Sequence, residues 1–211
     1  MKHISLLITL FLASCVGTRT AVDPTVTLLT SGGTELGVST DYGVVFLGRT
    51  ARSGPVQMTV WFGDGPSIES SIIEPVGGGI FTAEAEISLP LVALDFTPPA
   101  ADETLIIAGR NEYGPWEAQV TAFADPRVWG PLLSIPSQLI GRANQVGAGV
   151  YRDGPGGRRL VGLVSGRLRL AADDGSREYL TVVGPAHLWR MVTHRKDAGR
   201  RRPWVYREDI L

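Results

Sequence analysis

Short apolar or alternating runs, bounded by Gly, Pro, Asn and Asp, fill the chain from residue 25 onward. Such runs are typical of β-strands, and the residues that bound them are typical of turns. One helix is predicted over 186–193, because Pro185 suits a first helical turn and Leu188, Met191 and Val192 share a face. The predicted strands cover 25–29, 43–47, 56–62, 68–73, 81–87, 91–96, 104–108, 117–123, 128–135, 147–151, 160–165 and 167–171. This pattern predicts an all-β barrel or sandwich with a short C-terminal helix.

Composition agrees with many short strands. The chain of 211 residues contains 26 Gly and 14 Pro, which suits strands joined by tight turns. That length is enough for one all-β domain or two small ones. The single cysteine, Cys15, rules out an intramolecular disulfide, so the fold depends on its buried core.

The segment before Cys15 has the features of an export signal. Met1-Lys2-His3 is followed by the apolar run ISLLITLFLA, whose length fits a signal-peptide core of about 7–15 residues and falls short of the roughly 20 needed to span a bilayer. With Ala13 and Ser14 before Cys15, the segment resembles the lipobox of bacterial lipoproteins. The resemblance implies cleavage before Cys15 and acylation of that residue. The alternative is an ordinary secretory signal in which Cys15 is incidental.

This resemblance divides the chain into a signal peptide over 1–14, a lipidated tether over 15–24 and a folded part beyond. Several acyl chains would hold the protein on a membrane stably, because each buried methylene contributes about 0.8 kcal/mol. Val16, in place of Asp, follows Cys15. In this respect the chain resembles lipoproteins whose destination is the outer membrane. We therefore expect a lipid-anchored protein of the bacterial cell envelope.

Charge is distributed unevenly. Residues 1–189 carry 13 Lys and Arg against 18 Asp and Glu, whereas residues 190–211 carry seven against three. The basic end, a tail predicted over 195–211, can contact an anionic surface through Arg200, Arg201 and Arg202 or can be a solvated end segment. Export makes nucleic acid an unlikely partner, and we predict none.

Two segments near the end of the predicted sheet carry a family resemblance. Asn144-Gln145-Val146-Gly147-Ala148-Gly149-Val150-Tyr151 and the later Leu160-Val161-Gly162-Leu163-Val164-Ser165-Gly166 resemble the nucleophile loop and the following strand of trypsin-like serine proteases. The resemblance implies a double β-barrel over 25–194, with barrel 1 at about 25–124 and barrel 2 at about 125–194. Weaker similarities lie at 56–65, at 91–94, and at 117–120, which would open the second barrel.

The motifs depart from the family at the chemical positions. Val146 stands where the nucleophilic serine is expected, Asn144 and Gln145 replace the loop's Gly-Asp, and Leu91 stands at the position of the orienting aspartate. No histidine occurs between residues 4 and 186. A triad requires a hydroxyl or thiol, a base and a group that orients the base. We therefore predict no catalytic residues and a degenerate nucleophile loop. The chain is then expected to be a homologue that is not an enzyme. Its expected role is binding or scaffolding, toward a protein or peptide.

Alternatives remain open at this point. The segment 60–65, Val-Trp-Phe-Gly-Asp-Gly, resembles a strand and turn of immunoglobulin-like domains of bacterial surfaces, which implies a β-sandwich with an adhesion or envelope-assembly role. An active hydrolase with an unrecognised site is a further alternative. His187 and His194 lack a third ligand at metal spacing, and Gly77-Gly78-Gly79 lacks the Lys-Ser/Thr of a phosphate loop. We predict neither a metal nor another cofactor.

Overall fold

The computed structural model describes residues 23–59, 67–73, 79–84, 91–139, 145–172 and 175–201. The elements in these ranges are β1 Thr25–Thr30, β2 Gly33–Thr40, β3 Gly43–Phe46, β4 Gly54–Thr59, β5 Ser67–Ile73, β6 Phe81–Ala83, β7 Ala93–Leu94, β8 Thr104–Asn111, β9 Gly114–Phe123, β10 Leu132–Leu133, a 3-10 turn at Ser137–Leu139, β11 Gly149–Gly154, β12 Gly157–Ala172, β13 Gly175–Val183 and α1 Pro185–Arg201. The predicted all-β class with one C-terminal helix is therefore confirmed. The 60–65 motif lies outside the described residues.

The first six strands form a closed barrel in the order β1-β2-β3-β6-β5-β4. Leu28 of β1 pairs with Met58 of β4, and both side chains are fully buried. Val44 and Phe46 of β3 pack into the same cluster. Alternation along these strands turns the apolar side chains inward, which fills the barrel.

The remaining strands form a seven-stranded sheet in the order β11-β8-β9-β10-β13-β12-β7. The additional pairing of β11 with β12 joins the first strand of this order to the sixth, so six strands form a second closed ring. β7 adds to β12 in parallel. Two rings, and not two stacked sheets, make up the molecule, which confirms the double barrel over the sandwich.

The strands divide between the two rings earlier than the predicted boundary near residue 125. β6 ends the first barrel at Ala83, whereas β8 of the second sheet begins at Thr104. The segment 117–120, interpreted as opening the second barrel, lies inside β9, because β8 precedes it as its antiparallel partner. The long connection that includes β7 lies between the rings in sequence.

A buried cluster joins both rings to α1. Val38 and Val45 come from the first barrel, Tyr151 comes from the second sheet, and Leu188 and Met191 come from the helix. α1 begins at Pro185 as predicted but continues to Arg201, so its backbone includes the start of the segment that we predicted as a tail over 195–211. The helix is held by its apolar face, which explains why it packs at the end of an otherwise all-β fold.

The start of the described chain is bound to both rings. The Asp23 carboxylate accepts a hydrogen bond from Arg110 of β8 at 2.8 Å, and the Arg110 side chain is only 8% exposed. The Pro24 carbonyl accepts from the Ser39 N–H of β2 at 2.9 Å. The polypeptide therefore enters the fold at the junction of the two rings.

Candidate functional site

The turn at Gln145–Gly147, predicted as a degenerate nucleophile loop, lies where the two rings meet. Gly147 has φ +87° and donates its N–H to the Val164 carbonyl at 2.8 Å. A Cβ at Gly147 would lie 2.9 Å from the Leu36 carbonyl oxygen of β2. Glycine is thus required both by the backbone conformation and by the close approach of the first barrel. Asn144 lies outside the described residues.

Gln145 anchors this turn from the inside. Its side chain is buried, and its Nε2 donates to the Leu139 carbonyl at 2.8 Å. Arg167 Nη2 donates to Gln145 Oε1 at 3.0 Å and to the same Leu139 carbonyl at 3.2 Å. A buried amide of this kind is stable because its donor and acceptor both have partners. The amide and Arg167 together fix the position of the turn against β12.

Val146 presents an isopropyl group at the position predicted for the nucleophile. The side chain is half-buried and packs against the cluster shared by the two rings and α1. Valine has neither a proton to give nor a lone pair for attack. The turn therefore contributes an apolar surface to the junction.

The other predicted triad positions do not bring a base to this turn. Leu91, at the expected aspartate position, is 60% exposed and precedes Val92, whose N–H donates to the Ser39 carbonyl. His187 lies on α1, where burial and the neighbouring Arg190 lower its pKa. His194 lies further along the same helix. In the part of the chain that the structure describes, no Ser-His-Asp triad is formed.

A hydroxyl and carboxylate cluster beside the turn was not predicted. Thr50 Oγ1 donates to Glu35 Oε1 at 2.8 Å and accepts from Thr30 Oγ1 at 2.7 Å. The Glu35 carboxylate also accepts from the backbone N–H groups of Arg49 and Thr50. Glu35 directly precedes Leu36, the residue that contacts Gly147. The cluster holds the loop after β3 close to the junction.

A second unpredicted network fastens the connection between the rings. Arg152 of β11 binds Asp95, and its Nε donates to Glu103 Oε1 at 2.5 Å. Burial alone would raise the pKa of Asp95, but hydrogen bonds from Thr97 and Arg152 outweigh it and lower that pKa. The Arg152 hydrogen bond lowers the pKa of Glu103. Both carboxylates are therefore held in the charged form, which keeps residues 95–103 on the second ring.

The outer part of β12 has one open edge. Residues 165–172 pair only with β13 among the described strands, because the pairings of β12 with β11 and β7 involve residues 157–163. Near the tip, Arg127 donates to the Ala171 carbonyl. The open stretch thus runs from Ser165 to Leu170, directly after the part of β12 that holds the Gly147 turn. An edge of this kind exposes backbone donors and acceptors.

Comparison with solved structures places this fold. The astrovirus serine protease superposes with a TM-score of 0.53 at 11% identity, covering 78% of this chain and 91% of that one. The Rv3671c protease of M. tuberculosis, in an inactive mutant form, gives 0.56 at 14% identity and covers 87% and 90%. The serine endoprotease from Yersinia pestis gives 0.53 at 15%, covering 84% and 64%. The chain therefore has the fold of trypsin-like serine proteases. No family model and no curated protein matches it.

These matches correct the prediction that the chain is not an enzyme. That prediction rested on Val146, on Leu91 and on the absence of histidine between residues 4 and 186, whereas the similar solved chains are serine proteases. The fold itself gives no ground for excluding hydrolysis. What the described residues establish is narrower: the Gln145–Gly147 turn carries no nucleophile, and the chain is structurally similar to trypsin-like proteases.

Cys15 and the signal segment lie outside the described residues. Within the described ranges, no helix is both long enough and apolar enough to cross a membrane.

Proposed function

We propose that this protein is a lipid-anchored component of the bacterial envelope that binds an extended segment of another polypeptide along the open edge of β12. The observation that carries the proposal is the open edge over 165–170, next to the junction of the rings. An extended segment adds to such an edge through main-chain hydrogen bonds. Along the edge, half-buried Leu168 and Leu170 alternate with exposed Arg167 and Arg169, which supplies side-chain selectivity.

The register identifies which backbone groups face the incoming segment. Ala172 and Gly175 form the last pair of the β12–β13 hairpin, and hydrogen-bonded and non-hydrogen-bonded pairs alternate from there. The Arg169 N–H therefore points away from β13, toward the open edge. Glu178, which pairs with Arg169, has its N–H on the opposite edge of the same hairpin.

This geometry defines a test with a matched control. Full-length protein is immobilised and used to select binders from a phage-displayed library of random peptides. Arg169→Pro removes an N–H from the open edge and leaves the pairing with β13 intact, so selected peptides should lose binding. Glu178→Pro removes the equivalent N–H from the other edge and should retain binding. Equal binding to both variants, or no selectable peptide, would contradict the proposed edge.

The lipid anchor is tested separately. Palmitate supplied to cells that express the full chain should label the protein, and Cys15→Ser should abolish the label. Because the family resemblance at 12–15 places the acyl group on Cys15, a label that persists in the variant would refute that assignment.

Hydrolysis of the bound segment is a second candidate, favoured by the similarity to serine proteases. It requires a nucleophile other than the residue at position 146. Thr50 is the candidate hydroxyl, because it donates to Glu35 and Glu35 directly precedes Leu36, the residue beside Gly147. A fluorophosphonate probe followed by peptide mapping tests this candidate: a label on Thr50 that Glu35→Gln removes would support hydrolysis, and an unlabelled protein would refute it.

A further inference from the structure

The outward side of α1 combines aromatic and basic groups. Leu188, Met191 and Val192 face the core, Arg190 lies on the opposite side of the helix, and Trp189 lies at the flank between them; both Trp189 and Arg190 are exposed. Trp189 is 54% exposed. An indole with this much exposure on a rigid helix is available to a partner, because packing within the protein covers only part of it.

Phe96 extends this surface beyond the helix. Its ring meets that of Trp189 edge to face, with 5.3 Å between the centroids, and Phe96 is itself 36% exposed. Phe96 follows Asp95, which Arg152 fixes to the second ring. The side chains of Phe96 and Trp189 are thus held in place from both sides, by the helix and by the connection that Arg152 binds. We call the surface formed by Phe96, Trp189 and Arg190 the aromatic-basic face.

Charge favours an anionic partner for this face. From Arg190 to the last residue the sequence carries seven basic against three acidic side chains, whereas the rest of the chain is net acidic. Aromatic side chains beside basic ones are the combination that settles at the headgroup level of a membrane. Each Lys or Arg near an anionic membrane adds favourable electrostatic energy.

The position of the chain start brings this face close to a membrane. The Pro24 carbonyl binds the Ser39 N–H, and the Ser39 carbonyl binds the Val92 N–H at 3.1 Å. Val92 packs in the same cluster as Leu188 of α1. The start of the described chain is therefore linked, through Ser39 and Val92, to the cluster that α1 covers. The eight residue steps from Cys15 to Asp23 span at most about 28 Å even when extended.

We propose that the aromatic-basic face of Phe96, Trp189 and Arg190 is a second membrane contact that rests on anionic lipid headgroups. The proposal rests on the lipid anchor proposed for Cys15, and it adds an orientation that the acyl chains alone do not impose. With α1 against the lipid, the domain has a defined side toward the bilayer. Arg190 then lies on a helix whose outward side meets the headgroups.

Quenching of tryptophan fluorescence by brominated lipid tests the contact in the full-length protein. The chain is expressed in a bacterium that acylates lipoproteins and is reconstituted into vesicles of phosphatidylglycerol and brominated phosphatidylcholine in equal parts. The chain has five tryptophans, so we expect quenching that is reduced in Trp189→Phe and unchanged in Trp129→Phe. Trp129 is the matched control because it is fully exposed at 99% but lies on the connection between β9 and β10. Arg190→Gln, high salt, or replacement of phosphatidylglycerol by phosphatidylcholine should each reduce the quenching.

Acylation of Cys15 is measured by mass spectrometry on the same preparation, which separates the two proposals. Acylated protein whose quenching is unchanged by Trp189→Phe would overturn the membrane contact and leave the anchor standing. Protein without an acyl group that is still quenched through Trp189 on anionic vesicles would support the contact and refute the anchor. Equal quenching on anionic and neutral vesicles would overturn the assigned role of Arg190.

Discussion

Replacement of Gly149 by alanine should destabilise the protein through one specific collision. A Cβ at this position would lie 2.2 Å from the Tyr151 hydroxyl oxygen and 2.4 Å from its Cζ. Tyr151 is fully buried in the cluster shared by the rings and α1, so its ring cannot withdraw without displacing that core. Overpacking of a dense core costs about 1–3 kcal/mol, and a contact this short belongs at the upper end. We expect a loss of about 3 kcal/mol.

The same strand provides the control. Gly154, at the other end of β11, would place its Cβ in open space, with nothing within 4 Å. Gly154→Ala should leave stability unchanged or raise it by up to about 1 kcal/mol, because alanine restricts the unfolded chain. Urea unfolding followed by circular dichroism measures the free energy of unfolding of both variants. Thermal unfolding followed by the same signal should give a melting temperature about 9 °C lower for Gly149→Ala than for the wild type. If the two variants unfold at the same urea concentration, the packing argument at Tyr151 is refuted.

Three further predictions concern the two polar networks. Arg152→Ala leaves two partly buried carboxylates without their cation and should cost about 2 kcal/mol in urea unfolding, between the values for surface and buried ion pairs; an unchanged midpoint would contradict the role of the network. Because the folded-state pKa values of Asp95 and Glu103 are lowered, the unfolded chain takes up protons first as pH falls. Their contribution is therefore present at neutral pH and lost in acid below about pH 4, and pH-dependent unfolding should show a smaller acid loss in Arg152→Gln than in the wild type. Gln145→Ala removes the amide hydrogen bond to the Leu139 carbonyl and the acceptor of Arg167, and should cost about 2 kcal/mol in urea unfolding with an unchanged slope; wild-type stability would show that the amide does not hold the turn.

Much of the double barrel follows from local sequence pattern, because strands with one buried face alternate visibly. A continuous apolar run is a second signal: residues 160–164 become the middle of β12 and are all buried. The predicted strand over 128–135 shrinks to Leu132–Leu133 because Pro131 interrupts it and the Val128 N–H closes a turn on the Asp125 carbonyl. Local pattern therefore predicted where apolar strands lie better than where they end.

The polar networks were missed because their partners are far apart in sequence. Gln145 and Arg167 are separated by 22 positions, and Asp95 and Arg152 by 57. Each of these polar residues, taken alone, is typical of an exposed loop or strand. Only the pairing of strands brings the groups together. The Gly149 motif shows the converse: its spacing was noted as a family resemblance, whereas the structure gives a direct cause, the ring of Tyr151 against the missing side chain.

The bond between Asp23 and Arg110 determines how the domain would respond to mechanical load applied at residue 23. Without it, a pull on residue 23 would open the β1–β2 ladder one pair at a time, starting from Thr25 and Val38. The Arg110 side chain instead carries the force into β8, a strand of the other ring that pairs along eight residues with β9. Tension applied at residue 23 is therefore shared by both rings before any strand unzips.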